Sequence, residues 1–547
     1  MRLINCKTLT LETYEHSEAP PYAILSHTWG DDEVLFQDFL LPEVREAEHG
    51  WRKIELTCRQ AAADGLSHAW VDSCCINKES SSELSESINS MFRWYAHSTH
   101  CYVFLTDYHL PPSPSAPRDI TSSKWFTRGW TLQELIAPPR LSFFDADWKF
   151  VGTKRDLGAD IASCTRINLN LLTATTIEDI RIGLDECTVA MRMSWAARRK
   201  TKRPEDLAYC LLGIFDLSMP MLYGEGERAF TRLQEMIIQE TNDMSIFAWQ
   251  TSSDFAPATE FSDREEGGAG YSGVLAERPS DFDIGHHIIP SRFPAMIPEY
   301  AVTNKGLRID VKLRQITQGV LFMPLNYHYP SWDPNNAREV GICLRRHGDG
   351  IYARVNAGRL LMDPSGTGIS HPSQMQIYLV KRLKPSSIKA LRAAHRLEFK
   401  VTCGLKLVRG QVEPRSQWDT LNEIFVIPSG TSSFVGYQEI SVKQPDWSAA
   451  EEHFLVILGY EPPDKPWACL ANNSKNKQLY GYKYRQLYDA VKSLDMVTSA
   501  ALGRKHESEL RKLRSTTATP HIWTVSMSTV DIDSDGRKIT RFNVLVK

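Results

Sequence analysis

Between Ser122 and Leu135 the chain reads Ser-Ser-Lys-Trp-Phe-Thr-Arg-Gly-Trp-Thr-Leu-Gln-Glu-Leu. Trp125, Arg128, Trp130 and Glu134 therefore fall in one short stretch. Indole rings and a guanidinium beside a carboxylate suit the grip of a flat, charged ligand, the rings stacking and the arginine forking onto an anion. The same residues equally suit a well-packed helix start. Glu134 follows Trp130 by one helical turn, so the two side chains share a face. Leu132, Leu135 and Ile136 can turn to a core, and Ala137-Pro138-Pro139 ends the helix because proline has no amide to donate.

Two other places offer polar groups at the end of an apolar run. Tyr22-Ala23-Ile24-Leu25-Ser26 leads into His27-Thr28-Trp29-Gly30-Asp31-Asp32-Glu33, and Ala69-Trp70-Val71 leads into Asp72. Trp29, in a Gly-Asp turn, has less reason to be buried than Trp125 and is the better ring for a ligand. Arg128 either holds a phosphate or pairs with Asp31 or Asp32. Asp72 either binds hydroxyl groups on a rim or caps the loop that follows. Ser26 and His27 have no acid partner placed by the sequence, so a hydrolase triad is not expected. No Cys/His spacing fits a zinc site, and His97, His100 and Cys101 crowd a strand.

Positioning these groups needs a sheet. Tyr22–Ser26, Ala69–Val71, Cys101–Leu105 and Leu141–Phe144 read as short apolar strands. Helical spacing appears between them, at Ile54, Cys58, Ala61 and Ala62, and at Leu84, Ile88, Met91, Phe92 and Tyr95. Strands alternating with helices predict a parallel sheet with right-handed crossovers. Ligands then sit beyond the carboxyl ends of the strands. The turn after Ser26, the loop after Asp72 and the stretch ending at Glu134 are expected to share that rim.

Residues 161–250 read as helical, notably Val189–Lys200, Asp206–Phe215 and Glu225–Thr241. Gly224-Glu225-Gly226-Glu227-Arg228-Ala229 has the spacing of a dinucleotide loop, but no strand precedes it and its glutamates would repel a pyrophosphate, so a helix start is the better reading. Residues 251–273 are polar and glycine-rich, a linker, and 274–547 turn to strand texture. Leu307–Val311, Met375–Val380 and Phe454–Leu458 are strand-like, and Trp523/Val525/Met527 with Phe542/Val544/Val546 form a hairpin. A sandwich-like β domain is expected there. Its turn, Asp531–Gly536, mimics the start of a calcium loop but has Phe542 where the glutamate belongs, which excludes calcium.

At 547 residues with 42% hydrophobic and 24% charged content, this is a multidomain globular chain. A net charge of −3 gives no reason to expect nucleic acid or an anionic membrane. The 11 scattered cysteines read as reduced thiols of a cytoplasmic protein, and no run has membrane-spanning length.

Tyr22–Gly30, Ala69–Asn77 and Trp125–Leu135 resemble the three signature blocks of the fungal heterokaryon-incompatibility (HET) domain, in the right order. Asn77 and Lys78 depart from the pattern, since many members carry an acidic residue and glutamine there. Arg192 to Trp249 resembles the helical segment that follows many HET domains. The resemblance implies residues 1–160 as a HET domain similar to TIR domains, hence a flavodoxin-like α/β fold. It implies an effector of fungal incompatibility, immunity and cell death. Some TIR domains cleave the nicotinamide–ribose bond of NAD⁺, and Trp130 to Glu134-Leu135 matches the segment that holds their catalytic glutamate. Glu134 is then the catalytic carboxylate, steadying positive charge on the ribose as the N-glycosidic bond breaks. Ser26, Trp29, Gly30, Asp31, Asp72, Arg128 and Trp130 become the substrate-binding set, with NAD⁺ as substrate and no cofactor or metal. Against this stands a solvated glutamate on a surface helix. The rival function is a catalytically silent module that self-associates or meets another protein. A third is an enzyme on another small molecule.

Overall fold

Strand β3 (Tyr22–His27) is buried at every residue, as expected of a strand covered on both faces. In the computed structural model it lies near the middle of a seven-stranded sheet. From edge to edge the order is β2 (Thr10–Thr13), β1 (Arg2–Asn5), β4 (His68–Trp70), β3, β5 (His100–Phe104), β6 (Leu141–Phe144) and β7 (Phe150–Thr153). The structure describes residues 1–252 except 48 and 112–118. It describes 270–383 except 292–297, 318–319, 331–337, 349, 364–368 and 371–373. Beyond 394 it describes the strands and adjoining short turns.

Strands β4, β3, β5 and β6 are parallel neighbours, with Ala23 opposite both Ala69 and His100, and Tyr102 opposite Ser142. The four expected strands thus form one parallel core, two of them starting a residue earlier than the sequence suggests. Strands β1 and β7 flank it antiparallel. Among the parallel strands the chain visits positions in the order 2-1-3-4, so its direction reverses between β3 and β5, where a doubly wound sheet opens a crevice.

Helices α1 (Trp51–Ala63), α2 (Asp72–Cys75), α3 (Ser81–His97) and α4 (Thr131–Ile136) connect these strands. Ser80 caps α3 by accepting the Glu83 amide. Helix α4 stops before Pro138, and the buried Lys154 ammonium reaches the carbonyls of Pro138 at 2.6 Å and Leu135 at 3.3 Å, closing that end.

The helical region is more broken than its pattern suggests. It contains α5 (Ile177–Asp185), α6 (Val189–Ser194) and α7 (Arg228–Glu240). The expected helix to Lys200 ends at Ser194, because Lys200 instead bridges Arg128 in strand fashion. The expected helix from Asp206 to Phe215 is a single turn followed by a 3₁₀ turn at Leu212–Ile214. There Gly213 lies so close to Phe92 that an added Cβ would come within 2.1 Å of it. The Gly224–Ala229 loop is a helix approach, with Gly224 and Gly226 at φ +104° and +60°. Glu205 accepts both of their amides, at 2.8 and 2.9 Å. A carboxylate thus fills the place a phosphate would need, although the loop's own glutamates precede the first turn of α7 instead of lying within it.

Beyond residue 273 the described residues form three further sheets of ten, six and five strands, mostly antiparallel. They include β8 (Gly306–Val311), β9 (Val320–Tyr329), β10 (Arg338–Gly348), β11 (Ile351–Val355) and β12 (Met375–Leu379). The C-terminal hairpin is present, pairing Trp523 with Val546, Val525 with Val544 and Met527 with Phe542. Most of the 251–273 segment, and the tip of the 531–536 turn, lie outside the described residues.

One apolar cluster runs without a break from Leu3 to Leu379. Across the 250 boundary, Arg354 of β11 is fully buried over the Trp249 ring at 3.8 Å. It donates to the carbonyls of Trp249 at 2.5 Å and Phe247 at 3.3 Å. A chain cut after residue 250 would expose Phe247, Trp249 and Ile246 together. It should be recovered as aggregate, whereas residues 1–383 should stay soluble and melt cooperatively in circular dichroism. A monomeric, cooperatively folding 1–250 fragment would show that the shared cluster is dispensable.

Candidate active site

The carboxyl ends of β3 and β4 open onto a cavity of about 290 Å³. Its floor is Glu134. The Ser26 hydroxyl donates to Glu134 Oε2 and itself accepts the Trp125 indole N–H at 2.8 Å. One wall is the α3 face carrying Leu84, Ile88, Met91 and Tyr95. Phe92, which the apolar stripe groups with them, lies on another face of α3, packed toward Gly213. The Tyr95 hydroxyl donates to the Leu25 carbonyl at 2.9 Å and sits beside Glu134.

Glu134 is 7% exposed, so it is not the solvated surface glutamate that composition alone would favour. Burial pushes its carboxyl up to about 8, with Asp72 adding to the rise, while the Ser26 and Tyr95 hydroxyls oppose it. The direction favours the protonated acid over the carboxylate.

Trp29, Asp72, Arg128 and Trp130 all line the cavity with Glu134. Trp29 is not a bare stacking platform: its indole donates to Asp72 Oδ2 at 2.8 Å, and the Lys78 ammonium sits 3.3 Å from its ring centre. Lys78 lies 3.9 Å from the same carboxylate. Burial lowers the Lys78 pKa, with Asp72 opposing. Asp72 starts α2, but its hydrogen bond comes from Trp29 and not from its own turn, so it belongs to the rim. Arg128 pairs with neither Asp31 nor Asp32 and has no ion-pair partner among the described residues. Its carbonyl, in contrast, is held by Arg199 at 2.8 Å. Ser26 lies behind Glu134 and acts through it.

Gly30 and Asp31 do not line the cavity. Their turn swings outward, both residues are exposed, and the Gly30 amide is taken by Glu33 at 2.7 Å.

Several functional groups escape sequence reasoning. His27 does have acids nearby: its Nε2 lies 3.7 Å from Glu33 and 3.8 Å from Asp72. These gaps are too long for hydrogen bonds, and all three facing atoms are buried without a partner. Burial would raise Glu33, but His27 and Lys53 outweigh it and hold the carboxyl down at about 2. Asp206, Tyr223, Lys202 and Arg203 come from the helical region to close the opposite side. Burial raises Asp206 despite hydrogen bonds from Tyr223, at 3.0 Å, and Trp130. The acid-rich turn after Ser26 was the one readable signal for Glu33; the others arrive by long-range folding.

The arrangement offers a protonatable acid at the floor, an anchored carboxylate on the wall, an apolar flank and cations at the mouth. Its volume sits at the lower edge for small-molecule sites, about 300–1,000 Å³. Elsewhere His109, Asp145 and Asp147 bring ligand atoms within 4.8 Å of one another. Asp145 already accepts the amides of Leu110, Asp147 and Lys149, and Lys149 pairs with Asp147 at 3.2 Å, a turn and not a metal cage.

Residues 22–112 match the family model of the heterokaryon incompatibility protein (HET), and residues 228–333 match a domain of unknown function, DUF8212. Vegetative incompatibility protein HET-E-1 of Podospora anserina is 45% identical over 227 residues. That alignment covers 40% of this chain and 16% of the relative, so the chain spans under a fifth of that protein's length.

The buried acid fixes the sign of a pH effect. A carboxyl whose folded pKa exceeds its unfolded value favours folding fully below about 4.5, and that contribution is lost as pH rises through about 8. Every tenfold difference in proton affinity between the folded and unfolded chain is worth about 1.4 kcal/mol. Glu134→Gln removes the titration. Urea denaturation at pH 5 and pH 9 should show the variant gaining on the wild type by a few kcal/mol at the higher pH. Parallel curves would mean that Glu134 is solvated.

Proposed function

From the match of residues 22–112 to the heterokaryon-incompatibility family model, we propose that this chain is an effector of vegetative incompatibility acting through NAD⁺ cleavage at the Glu134 cavity. The observation that carries this reading is the buried Glu134 carboxyl, assembled from three separate sequence blocks at the floor of an open cavity whose mouth holds the unpaired Arg128. A surface used purely for self-association has no need of such a cavity. A catalytically silent module is therefore the weaker account.

In the reaction the C1′–N bond breaks and its electron pair leaves with nicotinamide, which departs neutral. Positive charge develops on the ribose. Glu134, ionised when the cationic substrate displaces its proton, stabilises that charge. Water then attacks C1′ and passes a proton to the carboxylate, giving ADP-ribose. Arg128, Lys202 and Arg203 supply positive charge where the pyrophosphate leaves the cavity. Similarity to TIR domains supports the substrate choice, through the match at Trp130 and Glu134.

The purified chain incubated with NAD⁺ should release nicotinamide, read by chromatography. Glu134→Gln should lower kcat by about 10²–10³ while circular dichroism stays unchanged. Because kcat/KM reports the free enzyme, it should rise with pH to a plateau above about 8, where the empty-site carboxyl ionises. A wild type that kills cells without consuming NAD⁺, or a Glu134→Gln variant that kills equally well, returns the function to self-association.

A further inference from the structure

Helix α3 serves two cavities. A second one, of about 350 Å³, lies on its other side, between α3, α5, α6 and the Gly213–Ser218 segment. Arg93 comes from α3, Arg181 from α5 and Arg192 from α6. None of the three forms an ion pair among the described residues, although Asp185 and Asp216 also line the cavity. Arg93 donates to the Ser90 hydroxyl at 3.1 Å. Arg192 lies over the Phe215 ring at 4.6 Å and gives Nη1 to the Ile214 carbonyl at 3.3 Å. Its Nε is buried with no partner. Its charge is thus met by a ring face and one carbonyl, and by no carboxylate among the described residues.

We propose that this second cavity binds a small phosphorylated ligand. Three guanidiniums against two carboxylates leave a positive site, and a concave space of this size suits a small molecule. A phosphate presents several oxygens and more than one negative charge, so one group can answer three arginines from three helices. Such a ligand ties α3 to α5 and α6. Since Leu84, Ile88, Met91 and Tyr95 of the same helix wall the Glu134 cavity, its occupancy stiffens that wall. The proposal does not depend on NAD⁺ cleavage.

The test is calorimetric titration of the full chain with inorganic pyrophosphate at low and high salt, followed by hydrogen exchange. Binding should weaken with salt. Arg93 and Arg181 are exposed, so the R93Q/R181Q double variant should fold normally and bind about tenfold or more weakly. R128Q, at the mouth of the other cavity, should keep the binding step that R93Q/R181Q loses. Bound pyrophosphate should protect amides of α3 and of Phe215–Ser218. No binding by the wild type overturns the proposal. So does binding lost in R128Q but kept in R93Q/R181Q, or protection confined to the Glu134 cavity.

Discussion

The burial of the Glu134 carboxyl is the constraint around which the α/β domain is arranged. A carboxyl withdrawn from water must be neutral or richly hydrogen-bonded. The Trp125–Ser26–Glu134 chain provides part of that need. Ser26 can take part because β3 is buried along its whole length and Ser26 is its penultimate residue, at the sheet's reversal point. Trp125, expected as core, is core, and it also orients the serine. Helix α4 is kept short so that the acid sits under the cavity, and Lys154 holds its carbonyl end.

The start of α4 is fixed from far along the chain. Arg199 is buried and gives Nη1 to the Arg128 carbonyl and the Thr131 hydroxyl at 2.8 and 2.9 Å. Burial pulls its pKa down to about 10. Beside it, the Lys200 carbonyl accepts the Gly129 amide at 2.9 Å. A Cβ on Gly129 would meet Thr201 at 2.4 Å, so glycine is required by close approach. The helical region is therefore structural support for the site, and Asp206 and Tyr223 make it part of the site itself.

The sheet was legible because its strands are short, apolar and punctuated, and a period-2 or all-apolar run leaves few alternatives. The cavity lining was legible where a residue stands at a strand end or on a helix face fixed by spacing: Trp29, Asp72, Arg128, Trp130 and Glu134. Gly30 and Asp31 fall outside the cavity because a turn's direction is set by its own hydrogen bonds, here to Glu33. The contacts of His27, Lys78, Arg199 and Lys154 were not legible. Their roles come from partners tens of residues away or from the tilt of a loop, which spacing does not encode. The helices after residue 189 were overdrawn for a similar reason: Lys200 and Gly213 answer to tertiary neighbours before they answer to propensity.

Charge is distributed unevenly around the cavity, and this constrains how a ligand can lie. The Trp29 face is occupied by the Lys78 ammonium. On the proposed reading, a cationic nicotinamide ring stacked there would bring like charges together in a partly dry site, at a cost that low dielectric enlarges. The apolar flank of Leu84, Ile88 and Met91 carries no such penalty and faces the same floor. On that reading the ring lies against α3, with the ribose over Glu134 and the phosphates toward Arg128. Lys78, which departs from the family pattern, packs over Trp29 and beside Asp72, so the second block shapes the pocket wall.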